Sequence, residues 1–231
     1  MAILLFTDFG ASDLYVGQVE TVLDRYAPGV RVISLLNEAP TFDVRASAHL
    51  LAALAPQVPR GHVFLTVVDP GVGTERRGMV IRVDGRSYVG PDNGLLSVLW
   101  ARGTVKSAWH ITSHPPGVSV SFHGRDVFAP AAARLAAGEE VEALDPAIDP
   151  ASLASPELPP ARVRPGWLEA PAVGVDRFGN VQLLAGPGDL AAAAFARGDR
   201  IWAATGERRH PATVARAFGD VARKALMVYL D

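Results

Sequence analysis

The chain contains no cysteine. Disulfides, thiolate nucleophiles and cysteine-bound metal clusters are thereby excluded, so any chemistry must come from oxygen, imidazole or guanidinium groups. Lysine is almost missing too: Lys106 and Lys224 are the only two, and arginine carries the rest of the positive charge, as GC-rich coding favours. With 22 basic and 24 acidic residues the formal net charge is -2. No basic excess is left to recruit nucleic acid or an anionic membrane surface, and the expected ligand is a small molecule. Met1-Ala2 runs straight into Ile3-Leu4-Leu5-Phe6 without a basic leader or a long apolar stretch. That argues against a signal peptide and a membrane span, and makes the cytoplasm the expected compartment.

What is present is a core. With 231 residues and 49% apolar side chains, the chain can bury one large domain, or one plus a small one. Residues 3–7 form a continuous apolar run ending in Asp-Phe-Gly, as a buried parallel strand does where it enters a loop. Helical spacing follows over 13–26. The alternation then repeats, with a strand at 30–35, a helix at 43–54, a strand at 62–68, paired strands at 79–83 and 87–89, and helices at 95–101 and 127–137. This pattern predicts an α/β domain with a mostly parallel sheet flanked by helices, spanning 1–145. Residues 146–166 are proline-rich and read as a linker. Short strands at 167–175, 180–184, 200–204 and 225–229, separated by glycine turns, predict a second, smaller C-terminal β-barrel domain over 167–231.

Four polar clusters interrupt this framework: Thr7-Asp8-Phe9-Gly10, Val68-Asp69-Pro70-Gly71-Val72-Gly73, Gly90-Pro91-Asp92-Asn93-Gly94 and Phe122-His123-Gly124-Arg125-Asp126. Glycine and proline around an aspartate allow a tight turn and close approach to a ligand. Asp8, Asp69 and Asp92 all stand at predicted strand exits, where open α/β sheets bind ligands. A carboxylate there can take a ribose diol, an ammonium group or a metal. Arg76 follows Asp69 across a Gly-Val-Gly turn short enough to let the guanidinium double back onto the carboxylate. His123, just before a helix, can reach the same pocket, and Asp, Arg and His converging on one water would position it and accept its proton. Each cluster also has a structural reading. Asp8 and Asp92 serve equally well as turn or cap residues, and Asp69 with Arg76 as a structural ion pair. His49, His62, His110 and His114 lack polar motifs around them and are assigned to packing or surface. Gly71-Val72-Gly73 lacks the lysine and hydroxyl of a phosphate-binding P-loop.

Taken together, these clusters with Phe42-Asp43-Val44-Arg45, Val127-Phe128-Ala129-Pro130 and Asp176-Arg177-Phe178-Gly179-Asn180 resemble the S-adenosylmethionine hydroxide adenosyltransferase family, related to the fluorinase and chlorinase enzymes. The motifs occur in family order across nearly the whole chain. The resemblance implies a hydrolase in which water or hydroxide attacks C5′ of S-adenosylmethionine and releases adenosine and L-methionine, with no cofactor and no metal. It implies that Asp69, Arg76 and His123 activate the water and that Asp8 holds the ribose hydroxyls. Asp13 and Asp176 match positions near the methionine amino group and Asn180 an adenine contact, with Phe42 and Phe178 beside the ligand. It further implies a homotrimer with each site at a junction between subunits. Family members usually continue beyond the position of Asp231 into a further glycine-rich strand, which makes the activity of this chain an open expectation.

Three other functions compete. A metal-dependent phosphoesterase would use Asp8, Asp69, Asp92 and His123 as ligands, although Arg76 beside Asp69 would repel the ion. A non-catalytic sensor of adenosyl ligands would keep ribose recognition without turnover. A halogenase would replace the Asp/Arg/His set and often insert a loop near Asp69; neither departure is found here.

Overall fold

A computed structural model describes residues 1–230 except 105, 113, 144, 156–158 and 177. The chain divides into two compact units, Met1–Glu157 and Leu158–Asp231.

The first unit contains β1 (Ala2–Thr7), α1 (Leu14–Tyr26), β2 (Arg31–Leu36), α2 (Val44–Leu54), β3 (Val63–Val67), β4 (Gly78–Val83), β5 (Arg86–Pro91), α3 (Ser97–Arg102), β6 (Lys106–His110) and α4 (Ala129–Ala136). One six-stranded sheet runs in the order β2-β1-β3-β5-β4-β6. β1 pairs in parallel with β2 and β3, and β3 with β5, whereas β4 runs antiparallel to both β5 and β6. The sheet is thus parallel on one side and antiparallel on the other. β6 has no counterpart in the strand pattern of the sequence, because its Lys106-Ser107 end is exposed and only Ala108 and Trp109 are buried.

β1 shows why its sequence is an unbroken apolar run. Its side chains alternate between two cores. Ile3 and Leu5 pack with Val19 and Leu23 of α1 and Ala132 and Ala133 of α4. Leu4 and Phe6 pack with Leu51 of α2 and Leu99 of α3. Both faces are therefore covered by helices, and only the strand ends are left to bind anything. Because the chain passes from β1 to β2 on one side and then to β3 on the other, the strand order reverses between β1 and β3. The crevice at that reversal is where doubly wound sheets bind ligands.

α4 begins with a π-helical turn over Gly124–Phe128. The Ala129 N–H bonds the carbonyl of Gly124, five residues back, and Pro130, next in the chain, has no N–H to donate. The wider turn places His123 at its entrance.

The second unit has three small sheets: β7 (Arg162–Arg164) with β8 (Trp167–Glu169), β9 (Ala172–Val175) with β10 (Val181–Leu183), and β11 (Arg200–Thr205), β12 (Arg208–Val214) and β13 (Leu226–Val228) in that order. The helix α5 (Pro187–Ala192) lies between β10 and β11 in the chain. The single strand expected over 167–175 is two strands, separated around Pro171, which has no N–H for a ladder. β12 escapes the sequence pattern because its first half, Arg208-Arg209-His210-Pro211, is polar and exposed.

Candidate active site

Asp8 and Asp69 leave the carboxyl ends of the neighbouring strands β1 and β3, and the Asp8 N–H donates to the carbonyl of Val67 at 3.3 Å. After Asp69 the chain folds back on itself: the N–H of Val72 bonds the carbonyl of Asp69, and the Thr74 hydroxyl donates to the carbonyl of Gly71 at 2.7 Å. Gly73 has φ +80°, and a Cβ there would stand 2.9 Å from the carbonyl oxygen of Val120. A glycine is required for this loop to close against the segment that leads to His123.

The fold-back delivers Arg76 to Asp69. Arg76 Nε lies 3.0 Å from both carboxylate oxygens, and Nη2 donates to Oδ2. The two side chains are only 10% and 5% exposed, so the pair is desolvated, and removing one partner would strand a buried charge. The guanidinium also sits 5.1 Å from the centre of the Phe128 ring. The second hydrogen of Nη2 is directed at His123, whose Nδ1 is 2.9 Å away. At Gly124, beside it, a Cβ would lie 2.8 Å from the Phe9 ring. Burial, followed by the positive charge of Arg76, pushes the His123 pKa below that of an ordinary histidine.

Asp8 uses Oδ2 to accept the backbone N–H of Phe42 at 3.0 Å. Burial raises its pKa above the ordinary carboxylate value, the Phe42 N–H opposes this, and the nearby charge of Asp69 adds a smaller upward push. Phe42 itself takes φ 59° and is 69% exposed. A bulky residue in left-handed backbone persists only where its surroundings enforce it, and such positions cluster at functional sites.

An aromatic group not anticipated from the sequence joins these segments. Phe9, Tyr15 and Phe122 stack edge to face or tilted, with ring centres 5.3 to 5.9 Å apart. The available signal was adjacency: Phe9 follows Asp8, and Phe122 precedes His123.

The remaining expected site residues have local partners of their own. Asp13 caps α1, accepting the Leu14 N–H at 2.7 Å, and is exposed. Asp176, Phe178 and Asn180 belong to the second unit. There Asp176 accepts the N–H groups of Phe178 and Asn180 at 2.8 and 2.9 Å and the Asn180 side-chain amide at 2.7 Å. The Asn180 amide and these backbone donors hold its pKa below the ordinary value. Phe178 is exposed, and Arg177 lies outside the described residues.

Asp92, the third strand-exit carboxylate, is engaged structurally. It is buried, takes Arg77 Nε at 2.9 Å on Oδ2, and accepts the Ala154 N–H at 2.8 Å on Oδ1. Arg77 also donates to the Ser152 carbonyl at 2.6 Å. The pair straps residues 152–154 of the proline-rich segment onto the first unit. Among the described residues, no three His, Asp or Glu side chains gather as metal ligands would.

Residues 3–145 match the SAM hydroxide adenosyltransferase N-terminal domain. The chain belongs to this family. Among its relatives, the (R)-S-adenosyl-L-methionine hydrolase of Salinispora tropica is 41% identical over 97% of this chain and 84% of that protein. The protein of the same name from Thermus thermophilus is 38% identical, over 99% and 87%. More distant is a fluorinase from an Actinoplanes species, 24% identical over 78% and 70%. An uncharacterized conserved protein from Thermotoga maritima has a crystal structure that superposes with a TM-score of 0.92 at 31% identity, covering 98% of this chain and 88% of that one.

Proposed function

We propose that this member of the SAM hydroxide adenosyltransferase family hydrolyses S-adenosyl-L-methionine to adenosine and L-methionine. The observation that carries this reading is the partly buried Asp69–Arg76–His123 group beside Asp8, at the strand-order reversal where a nucleoside would sit. The oxygen of water forms a bond to C5′ as the C5′–S bond breaks. The electron pair of that bond goes to sulfur, which leaves as the neutral thioether of methionine. One proton is lost from the attacking oxygen, leaving the 5′-hydroxyl of adenosine. A sulfonium is already a cationic leaving group, so no cofactor is called for, and the protein's work is to place the water in line and receive its proton. Asp8 retains acceptor capacity beyond its bond to Phe42 and takes the ribose hydroxyls. Asp13, Phe42, Asp176, Phe178 and Asn180 complete the substrate contacts in this reading.

The relatives' names specify the (R) form, and we extend that preference to this chain. The homotrimer, with sites at subunit junctions, and a closed barrel for the second unit belong to the same proposal. Val175, Phe178 and Trp202 are exposed on that unit, apolar surface that a subunit contact would cover. A solution mass three times 24.4 kDa would be expected by light scattering. No helix among the described residues is long and apolar enough to cross a membrane, and the cytoplasm is the proposed compartment. A metal-dependent phosphoesterase is disfavoured because Asp69 and Asp92 are each committed to a guanidinium.

The test is incubation of chelator-treated protein with S-adenosylmethionine in ¹⁸O water, with and without chloride, using material enriched in either sulfonium form. Adenosine carrying ¹⁸O at the 5′ position is the expected product. A 5′-chloro nucleoside would instead establish halide transfer, and intact substrate held tightly would establish a sensor.

A further inference from the structure

We infer that His123 acts as a hydrogen-bond donor to the attacking oxygen through Nε2–H, and that Asp69 alone receives the proton released when the C–O bond forms. This deepens the hydrolase reading and rests on it.

The guanidinium of Arg76 fixes the sense of its contact with His123. Arginine keeps all its protons and has no acceptor, so its 2.9 Å contact with His123 has only one sense: Arg76 Nη2 donates, and Nδ1 of His123 accepts. A neutral imidazole whose Nδ1 is an acceptor carries its single proton on Nε2. Nε2 lies on the other edge of the ring and has no protein partner among the described residues. It is therefore available to the ligand side as a donor.

Accepting the proton of the attacking water would turn His123 into an imidazolium. Nε2 already holds a proton, so the new one would have to go to Nδ1, where it would face the Arg76 N–H at 2.9 Å. Two donors and two positive charges would then oppose each other in a partly buried place. The charged and titratable groups around His123 are Arg76, Asp69, Asp126 and His114. Of these, Asp126 is occupied by Arg125, whose Nε and Nη2 lie 2.6 and 2.8 Å from its two oxygens. Asp69 is matched by Arg76. No unpaired carboxylate in this set is free to stabilise an imidazolium, in keeping with the downward pKa shift of His123.

Asp69 is the remaining base. Arg76 sets Nε between the two oxygens and Nη2 on Oδ2, and because a carboxylate has about four acceptor positions in all, Oδ1 keeps one free. A carboxylate suffices because the attacking oxygen becomes strongly acidic as it bonds to carbon. The water is thus fixed on three sides: one lone pair accepts Nε2–H, one hydrogen points to Asp69, and the second lone pair attacks C5′. The proton passes to Asp69 and then to solvent. The pair of electrons from the C5′–S bond leaves on sulfur.

Two measurements test this. First, ¹⁵N-histidine NMR of the whole chain reports the tautomer directly, with His123 assigned among the six histidines by the resonance missing in His123→Gln. The expected result is a neutral ring with its proton on Nε2 across the neutral pH range; a proton on Nδ1, or an imidazolium, overturns the inference. Second, glutamine can place an amide N–H near the Nε2 position but cannot act as a base. His123→Gln should lower kcat by about tenfold, the worth of one imperfectly placed hydrogen bond. His123→Ala should lower it roughly 10²- to 10³-fold, as for a lost donor at the reacting oxygen. Equal, complete loss in two folded variants would mark His123 as the base and overturn the donor role. A wild-type protein that releases no adenosine would overturn the hydrolase reading and this inference together, whereas turnover with the opposite tautomer would overturn this inference alone.

Discussion

The carboxylate of Asp8 holds Phe42 by its backbone rather than its ring: Oδ2 accepts the Phe42 N–H at 3.0 Å while Phe42 sits at φ 59°. One side chain thus supports the loop after β2 and presents an acceptor to the crevice. Asp8→Ala removes both functions and should weaken binding of adenosine or S-adenosylmethionine by about 1–3 kcal/mol in calorimetry. Asp8→Asn keeps an oxygen for the Phe42 N–H and should fall between wild type and alanine. Equal affinities for the two variants would mean that the loop contributes nothing.

The same residue makes a prediction about pH. Its carboxyl is raised in the folded state, so between the unfolded and folded pKa the folded protein holds more protons, and stability falls as pH rises through that window. At neutral pH the ionised Asp8 costs stability. Asp8→Asn should therefore raise the melting temperature of the unliganded protein near neutrality, and this gain should shrink in acid. On the binding side, affinity for a ribose diol should begin to decline at a higher pH than an ordinary carboxylate would cause.

Arg76 bridges Asp69 and His123 through one planar fork, which a lysine ammonium cannot reproduce. Arg76→Lys should lower turnover roughly 10²-fold or more. Arg76→Ala should also cost about 3–5 kcal/mol in urea unfolding, because the buried Asp69 charge loses its partner. A turnover loss in Arg76→Lys without any change in stability would locate the effect in geometry rather than folding.

Asp92 should behave in the opposite way to Asp8. Asp92→Ala leaves Arg77 and the Ala154 N–H without their acceptor and should lower stability by about 1–3 kcal/mol. The folded fraction should keep its kcat and KM. A selective loss of substrate affinity would return Asp92 to the binding site.

Gly124→Ala tests how tightly the site is assembled. The new Cβ would press to 2.8 Å from the Phe9 ring and displace either Phe9, next to Asp8, or the backbone next to His123. Both KM and kcat should deteriorate, and steady-state kinetics will show which segment yields.

The contrast between Asp8 and Asp92 marks where sequence reasoning ends. Both follow a strand and stand among glycine and proline turns, and nothing local distinguishes them. What differs is the long-range partner: Arg77 and residues 152–154 close over Asp92, while a backbone N–H occupies only part of Asp8. A neighbour 62 positions away leaves no periodic trace in the chain.

The sequence by itself determined the buried strands and their helices, because burial on both faces demands continuous apolar runs such as Ile3 to Phe6. It also determined that Asp69 and Arg76 could meet, because a Gly-Val-Gly turn within seven residues lets the chain double back. Only the tertiary structure decided the strand-order reversal that sets Asp8 beside Asp69, the antiparallel pairing of β4 with β6, and the polar-faced β12. The first two join segments distant in the chain, and β12, although it forms a hairpin with β11, has an exposed first half without a distinctive hydrophobic pattern. It alone decided which nitrogen of His123 accepts from Arg76, since the two residues meet across 47 positions of the chain.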